Sequence, residues 1–153
     1  MSRDPIATDD RMKISELLAR YCHAMDASRA DLCIGLFVED AVLETPVGTA
    51  EGRPAILGWI EERLSLRSPE HQVGHYLLNP LFAPLGPTRV SVRSMLLYTR
   101  QTRGVDLSAQ LLGTGIYEDE VVEIESNWYF ARRRWGLSEA LNDIYYTSGA
   151  TSD

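Results

Sequence analysis

The chain has 153 residues, 44% of them apolar and 24% charged, with a net charge of −7 and a pI near 5.0. That length and balance fit one water-soluble domain with a real core. The acidic excess argues against nucleic acid and anionic membrane as partners, since no basic run exceeds Arg132–Arg134. No stretch approaches the ~20 apolar residues of a membrane span. Residues 1–10 are polar and acidic, unlike a signal peptide. Cys22 and Cys33 both fall in helical patterns and read as buried thiols, so a reducing, cytoplasmic location is expected.

In chain order, Thr8 or Asp9 can cap a first helix, and Asp9 and Asp10 suit its positive end. Ile14, Leu17, Leu18, Tyr21, Cys22 and Met25 then recur at steps of three and four, one apolar stripe that ends at Asp26. A second helix is predicted over residues 27–38, and a short strand over 41–45, stopped by Pro46 and Gly48. Pro54 sits well at the start of a third helix, made amphipathic by Ile56, Leu57, Trp59, Ile60 and Leu64 and ended at Ser68 and Pro69. Strands are predicted over 75–82, 89–102, 107–122 and 127–135, with a break at residues 84–87. Helices first and an antiparallel meander after them imply an α+β fold.

Both faces of the two longest strands carry apolar side chains. Val90, Val92, Leu96 and Tyr98 oppose Met95 and Leu97; Leu107, Ala109, Leu111 and Tyr117 oppose Leu112 and Ile116. A sheet wetted on one side would alternate apolar and polar. The helices can cover one face, and a second copy of the chain is the simplest cover for the other, so a homo-oligomer is expected.

Three residues stand out as candidate chemistry. Asp26 faces the negative end of its helix beside Leu18 and Cys22, a placement that either ends the helix in solvent or needs a donor to answer it. His75 shares a strand face with Leu77, Asn79 and Leu81, which reads either as a core histidine bonded to backbone or as a proton acceptor in an apolar pocket. Tyr21 lies on the helical stripe, where its hydroxyl either finds a core partner or donates to a ligand. His23 points away from the stripe, and His71 lies in a polar loop with no third ligand spaced to make a metal site. Arg132 and Arg134 share a face with Trp128 and Phe130 and are read as solvated or interfacial, although one could enter a pocket. No phosphate loop, dinucleotide fingerprint, nucleophile elbow or cysteine metal cluster is present.

Six segments together carry a family likeness: ISELLARYCHAMD at 14–26, LFVEDAVL at 36–43, GRPAI at 52–56, GHYLLNP at 74–80, GIYEDE at 115–120 and WYFARR at 128–133. In this order and spacing the chain resembles the SnoaL-like branch of the nuclear transport factor 2-like superfamily. The resemblance implies one domain over residues 1–153, with its core at 9–136 and tails at 1–8 and 137–153. It implies a cone-shaped curved antiparallel sheet with three helices on its concave face. Within that branch the chain is similar to cofactor-free lyases such as scytalone dehydratase, bile acid 7α-dehydratase and hexachlorocyclohexane dehydrochlorinase.

By that likeness Asp26 and His75 match a catalytic pair, and Tyr21 matches a helper tyrosine from the first helix. Asn79, Leu43, Thr45 and Tyr98 match positions that would bind substrate. The middle strand offers Tyr98 and Arg100 to the cavity but no histidine, which departs from the dehydratases. The likeness implies a lyase or isomerase acting on a small hydrophobic cyclic molecule without metal or cofactor, in a trimer or dimer. A different reading comes from residues 92–98, VRSMLLY, which resemble the middle strand of aromatic-ring-hydroxylating dioxygenase small subunits. That reading makes the chain an accessory subunit or a ligand-binding module without catalysis.

Overall fold

The computed structural model describes residues 6–105 and 108–136. Its first helix, α1 (Thr8–Asp26), starts where the cap was expected, but Ala7 occupies the cap position and no side chain caps the helix. The first turn is held instead by charge: Asp9 and Asp10 lie there, and Lys13 reaches Asp9 at 3.0 Å. The predicted stripe is the buried face, with Ala24 added to it.

The second helix is much shorter than its predicted span. Ser28 takes a positive φ of 55° and turns the chain, and only α2 (Ala30–Ile34) is helical. Its expected C-terminal half becomes strand, because Phe37 pairs with Phe130 and the Phe130 N–H donates to the Leu36 carbonyl at 2.8 Å. Strand β1 (Phe37–Thr45) then folds back at Pro46 and Val47 into β2 (Gly48–Glu51), a hairpin partner that the sequence reading did not separate from the turn. Helix α3 (Arg53–Ser65) starts with its proline in the first turn, as expected.

Four long strands follow: β3 (His71–Gly86), β4 (Arg89–Thr102), β5 (Gln110–Ile124) and β6 (Asn127–Gly136). The expected break at 84–87 narrows to a tight turn, since Pro84 still pairs with Val90 in the ladder. Leu107 falls outside the described residues. The sheet order is β2-β1-β6-β5-β4-β3. The meander β3 to β6 is antiparallel, as predicted, but β1 lies parallel to β6, so the sheet is mixed. It is a curved, unclosed sheet with three helices packed on it, an α+β fold.

Three ladder irregularities decide which side chains face the helices. In β3 the register shifts between Leu78 and Leu81, where Asn79 adopts a φ of 52°. His75 and Leu77 therefore face inward, but Asn79 and Leu81 do not stay with them; Phe82 takes over against the core. In β5 a shift opposite Tyr98 and Thr99 leaves Leu112 unpaired, so Leu111 points out at 61% exposure instead of sharing the side of Tyr117. In β6 Phe130 pairs with Val121 and Arg132 with Glu120, which leaves Ala131 over and reverses the alternation. Arg133, not Arg132 or Arg134, is consequently inside.

The core on the helix side centres on aromatic packing. Tyr21 meets Phe37, Tyr117 and Phe130 edge-on at 6.2, 6.2 and 5.9 Å. Each such buried ring contributes roughly 1.5–3 kcal/mol. The opposite face stays apolar in part: Tyr76 and Leu78 on β3 pair with Leu97 and Met95 on β4, and Tyr76, Leu78 and Met95 are exposed. Among the described residues no helix is long and apolar enough to cross a membrane.

Candidate active site

Asp26 ends α1, where the helix dipole disfavours its charge. Two donors, both from His75, answer it. The His75 backbone N–H donates to both carboxylate oxygens, at 3.2 and 3.1 Å, and His75 Nδ1 lies 2.6 Å from Oδ1. Arg67 donates from Nη1 to the Met25 carbonyl, and Gln72 Nε2 donates to the Asp26 carbonyl at 3.4 Å, so the last carbonyls of the helix are also satisfied. The carboxylate is thus held by backbone and ring together across 49 residues of sequence.

His75 sits opposite Tyr98 in the ladder, and the two rings stack at 4.7 Å with a 46° tilt. Gly74 before it has no room for a side chain: a Cβ would lie 2.8 Å from Tyr76 Cε2 and 2.9 Å from Thr99 Oγ1. The His75 and Asp26 side chains are 11% and 23% exposed, shielded but within reach of a ligand. With Nδ1 engaged by a carboxylate, Nε2 is the ring nitrogen left to exchange a proton with a ligand.

His75 borders a cavity of about 470 Å³. Tyr21 and Met25 of α1 form one wall, with Leu96 and Tyr98 of β4. Leu112, Thr114 and Tyr117 of β5 and Trp135 of β6 form another, while Trp59, Arg63 and the nearby Arg67 approach from the α3 side. Asp26 lies behind His75 and borders a separate depression of about 310 Å³ beside Gln72 and Thr99. His75 borders both spaces, whereas Asp26 borders only the second.

Under the cavity floor lies a charge pair that sequence alternation misplaced. Arg133 and Asp119 are fully buried, with Nε 3.3 Å from Oδ1. The guanidinium carbon sits 3.9 Å from the Tyr21 ring centre, 4.0 Å from Tyr117 and 4.4 Å from Phe130. Stacking on three rings and one carboxylate compensates a charge that would otherwise be costly there. Burial pushes the Asp119 carboxyl up to about 7, with Arg133 pulling the other way. Burial also raises the Tyr21 hydroxyl well above its usual range and raises Tyr117, again against Arg133, so both phenols hold their protons as donors. The Cys22 and Cys33 thiols are pushed up to about 11 and about 12 by the same cause, which keeps both unreactive.

Of the predicted site residues, the structure joins Asp26 to His75 and brings Tyr21 and Tyr98 to the same cavity as His75. The others stand elsewhere. Leu43 is fully buried in the core. Thr45 Oγ1 donates to the Gly48 carbonyl at 3.0 Å in the β1–β2 turn. Asn79 is exposed at the bulge, its Nδ2 3.6 Å from Met95 Sδ. Arg100 bonds Gln110 at 3.1 Å, and Arg132 makes a two-pronged pair with Glu44 at 2.8 and 2.9 Å. Among the described residues no three His, Cys, Asp or Glu side chains gather as a metal site. The sequence reading missed Arg63, Arg67, Tyr117, Trp135 and the Asp119–Arg133 pair. The spacing 59, 63, 67 was the available signal, since it puts an aromatic and two cations on one helical line.

Comparison with solved structures places this geometry among known folds. A protein of unknown function with a cystatin-like fold from Nostoc punctiforme superposes with a TM-score of 0.71 at 22% identity, covering 86% of this chain and 92% of that one. A candidate aromatic ring hydroxylase from Novosphingobium aromaticivorans gives 0.75 at 23% identity, over 87% and 92%. A candidate scytalone dehydratase from the same organism gives 0.70 at 24% identity, over 82% of each chain. A search of curated proteins finds no match. The SnoaL-like domain model matches residues 7–134, nearly all of the helices and sheet described above. The chain belongs to the SnoaL-like domain family of the nuclear transport factor 2-like superfamily.

Proposed function

We propose that this chain is a cofactor-independent enzyme of lyase or isomerase type, acting on a small hydrophobic cyclic molecule. The single observation that carries the proposal is the 2.6 Å contact between Asp26 and His75 at the edge of an apolar cavity. Asp26 fixes the imidazole with its Nδ1 proton inward and stabilises the cation that forms. Nε2 removes a proton from a carbon next to a carbonyl or a leaving group. In a dehydration, the C–H electron pair becomes the new double bond as the C–O bond breaks. Tyr21, kept protonated by burial, supplies the proton with which the oxygen departs as water. A dehydrochlorination or a ring closure would use the same base with a different acceptor for the electron pair. Tyr98 stacks on the base and borders the ligand; Leu43, Thr45 and Asn79 would act from outside the cavity lining.

The alternative, a hydrophobic-ligand-binding module or a dioxygenase small subunit, draws on the hydroxylase-type neighbour's fold, but it gives no reason for a carboxylate to be locked onto the histidine. The exposed Tyr76, Leu78 and Met95 on the uncovered sheet face support a homo-oligomer, a trimer or dimer, with the small molecule as the other partner. A cytoplasmic location fits the two reduced thiols.

The test starts from a thermal-shift screen of alicyclic and aromatic ketones, because native-state ligands raise apparent stability. Hits are then incubated in heavy water with the protein, and deuterium uptake at the carbon beside the carbonyl is followed by mass spectrometry. Uptake by the wild type that disappears in His75→Ala and Asp26→Asn is expected. Uptake that survives in both variants, or none above buffer for any bound ketone, removes proton abstraction by this pair.

A further inference from the structure

A protein with 22 acidic and 15 basic residues would be expected to show carboxylates on most of its surfaces. Its large cavity is the opposite: among the described residues the lining includes Arg63 and Arg67 and no aspartate or glutamate. Arg63 lies one turn after Trp59 on α3, and Arg67 follows two residues beyond the end of the helix. The Arg63 guanidinium lies over the Trp59 ring at 5.5 Å. Glu61 and Glu62 on the same helix are exposed and outside the lining, so neither neutralises these arginines from within the cavity.

Trp59 Nε1 and Arg63 Nε are buried donors with no acceptor among the described residues. Buried donors are almost always paired, because leaving them bare forfeits the bond they made to water. These two are one helical turn apart, and both residues face the same apolar space. Arg67 is different. It is anchored by its bond to the Met25 carbonyl and by Ser28 Oγ at 3.5 Å, so it is fixed in place with donors to spare.

We infer that the natural ligand carries a carboxylate, held by Arg63 and Arg67 with Trp59 beside it, while its hydrocarbon ring lies against Leu96, Leu112 and Trp135. This rests on the reading of the cavity as the substrate site and names the substrate class: a cyclic carboxylic acid rather than a neutral hydrocarbon or ketone alone. A planar two-oxygen anion matches the fork of a guanidinium. A singly charged group also suits a pair of cations of which one already spends a nitrogen on Met25. The carboxylate end then sets which carbon of the ring is presented to His75.

The experiment is calorimetric titration of the full chain with 2-naphthoate and with 2-naphthamide, which share ring and size and differ in charge. It is repeated in His75→Ala, so that the imidazole cannot supply the cation, and in Arg63→Gln and Arg67→Gln, whose thermal midpoints are recorded to establish folding. Naphthoate is expected to bind about tenfold more tightly than naphthamide or better, the worth of one charge-assisted hydrogen bond. The preference should persist in His75→Ala and collapse toward parity in Arg63→Gln. Equal affinities in the wild type, tighter binding of the amide, no saturable heat from either compound, or a preference that survives in Arg63→Gln overturns the inference. A carboxylate preference without deuterium exchange would sink proton abstraction and leave the anion site standing; exchange without the preference would do the reverse.

Discussion

Two carboxylates in this fold are each paired with a nitrogen base, and the pairs behave differently. Asp26 and His75 meet at 2.6 Å, gain further bonds from a backbone N–H, and stay partly open. Asp119 and Arg133 meet at 3.3 Å, have no side-chain solvent exposure, and among the described residues make no side-chain hydrogen bond that meets ordinary geometry. An imidazole can take and release a proton near neutral pH; a guanidinium cannot. The first pair is therefore equipped for proton transfer, and the second is an anchor around which three aromatic rings pack. Charge pairing alone does not mark an active site. The proposed mechanism also requires access and a titratable partner.

The largest expected effect breaks the first pair. His75→Ala and Asp26→Asn should each lower turnover by ~10²–10⁴-fold, the usual worth of general-base assistance, with little change in the urea midpoint. A variant that keeps full turnover on a substrate of the wild type would place the first pair with the anchors. Breaking the second pair should do the converse. At pH 8, above the Asp119 value of about 7, Arg133→Met leaves the ionised carboxylate buried without its cation and should cost ~3–5 kcal/mol of stability, read as a lower urea midpoint. Replacing both, with Asp119→Leu added, should recover most of that loss, since apolar groups can substitute for a buried pair. No recovery in the double variant would mean that the pair contributes specific structure beyond its charge.

The pH dependence of stability separates the pairs next. The folded chain holds the Asp119 proton up to about 7, above the ordinary carboxyl value of 3.8, because burial disfavours the charge. A raised folded value means that the group's contribution is complete below 3.8 and is lost as pH rises to about 7. Asp119→Asn keeps a neutral side chain of the same shape and removes that dependence. The wild type should therefore lose stability relative to Asp119→Asn between about pH 4 and pH 8, measured as the difference of urea midpoints. A difference that stays flat over the same range would show the carboxylate ionised beside Arg133 throughout.

The positions of Asp26 and His75 were legible in the sequence, and their pairing in the family likeness; the second pair was not legible, and strand irregularities explain why. Asp26 follows from helical spacing that runs unbroken from Ile14, and His75 precedes the β3 bulge, so simple alternation places both correctly. Asn79 lies on that bulge, and Arg133 lies two residues beyond Phe130 only if Ala131 is not counted. An extra residue in a strand turns every later side chain over, and nothing in the composition of residues 127–136 announces it. The short α2 failed for a related reason. Residues 35–38 have helical spacing, but pairing with β6 outweighs that local preference. Arg63 on α3 and Arg67 just after it were passed over because cations in and beside a helix normally face water, and only the cavity shows that these do not.

Tyr21 belongs by position to both regions, which makes its hydroxyl the finest test of the comparison. Its ring lies on Arg133, and its side chain borders the cavity that His75 also lines. Tyr21→Phe keeps the ring and its stacking and removes one hydroxyl, so stability should fall by only ~0.5–1.5 kcal/mol. If the hydroxyl serves the ligand, turnover should drop about tenfold in addition, the worth of one hydrogen bond made to the departing group. If it serves only Tyr117, the midpoint should shift while turnover stays level. A fall in turnover with a nearly unmoved midpoint would assign Tyr21 to the proton-transfer side; the opposite pattern would assign it to the anchor, and the acid in the proposed elimination would then have to be sought in Tyr117 or in the ligand itself.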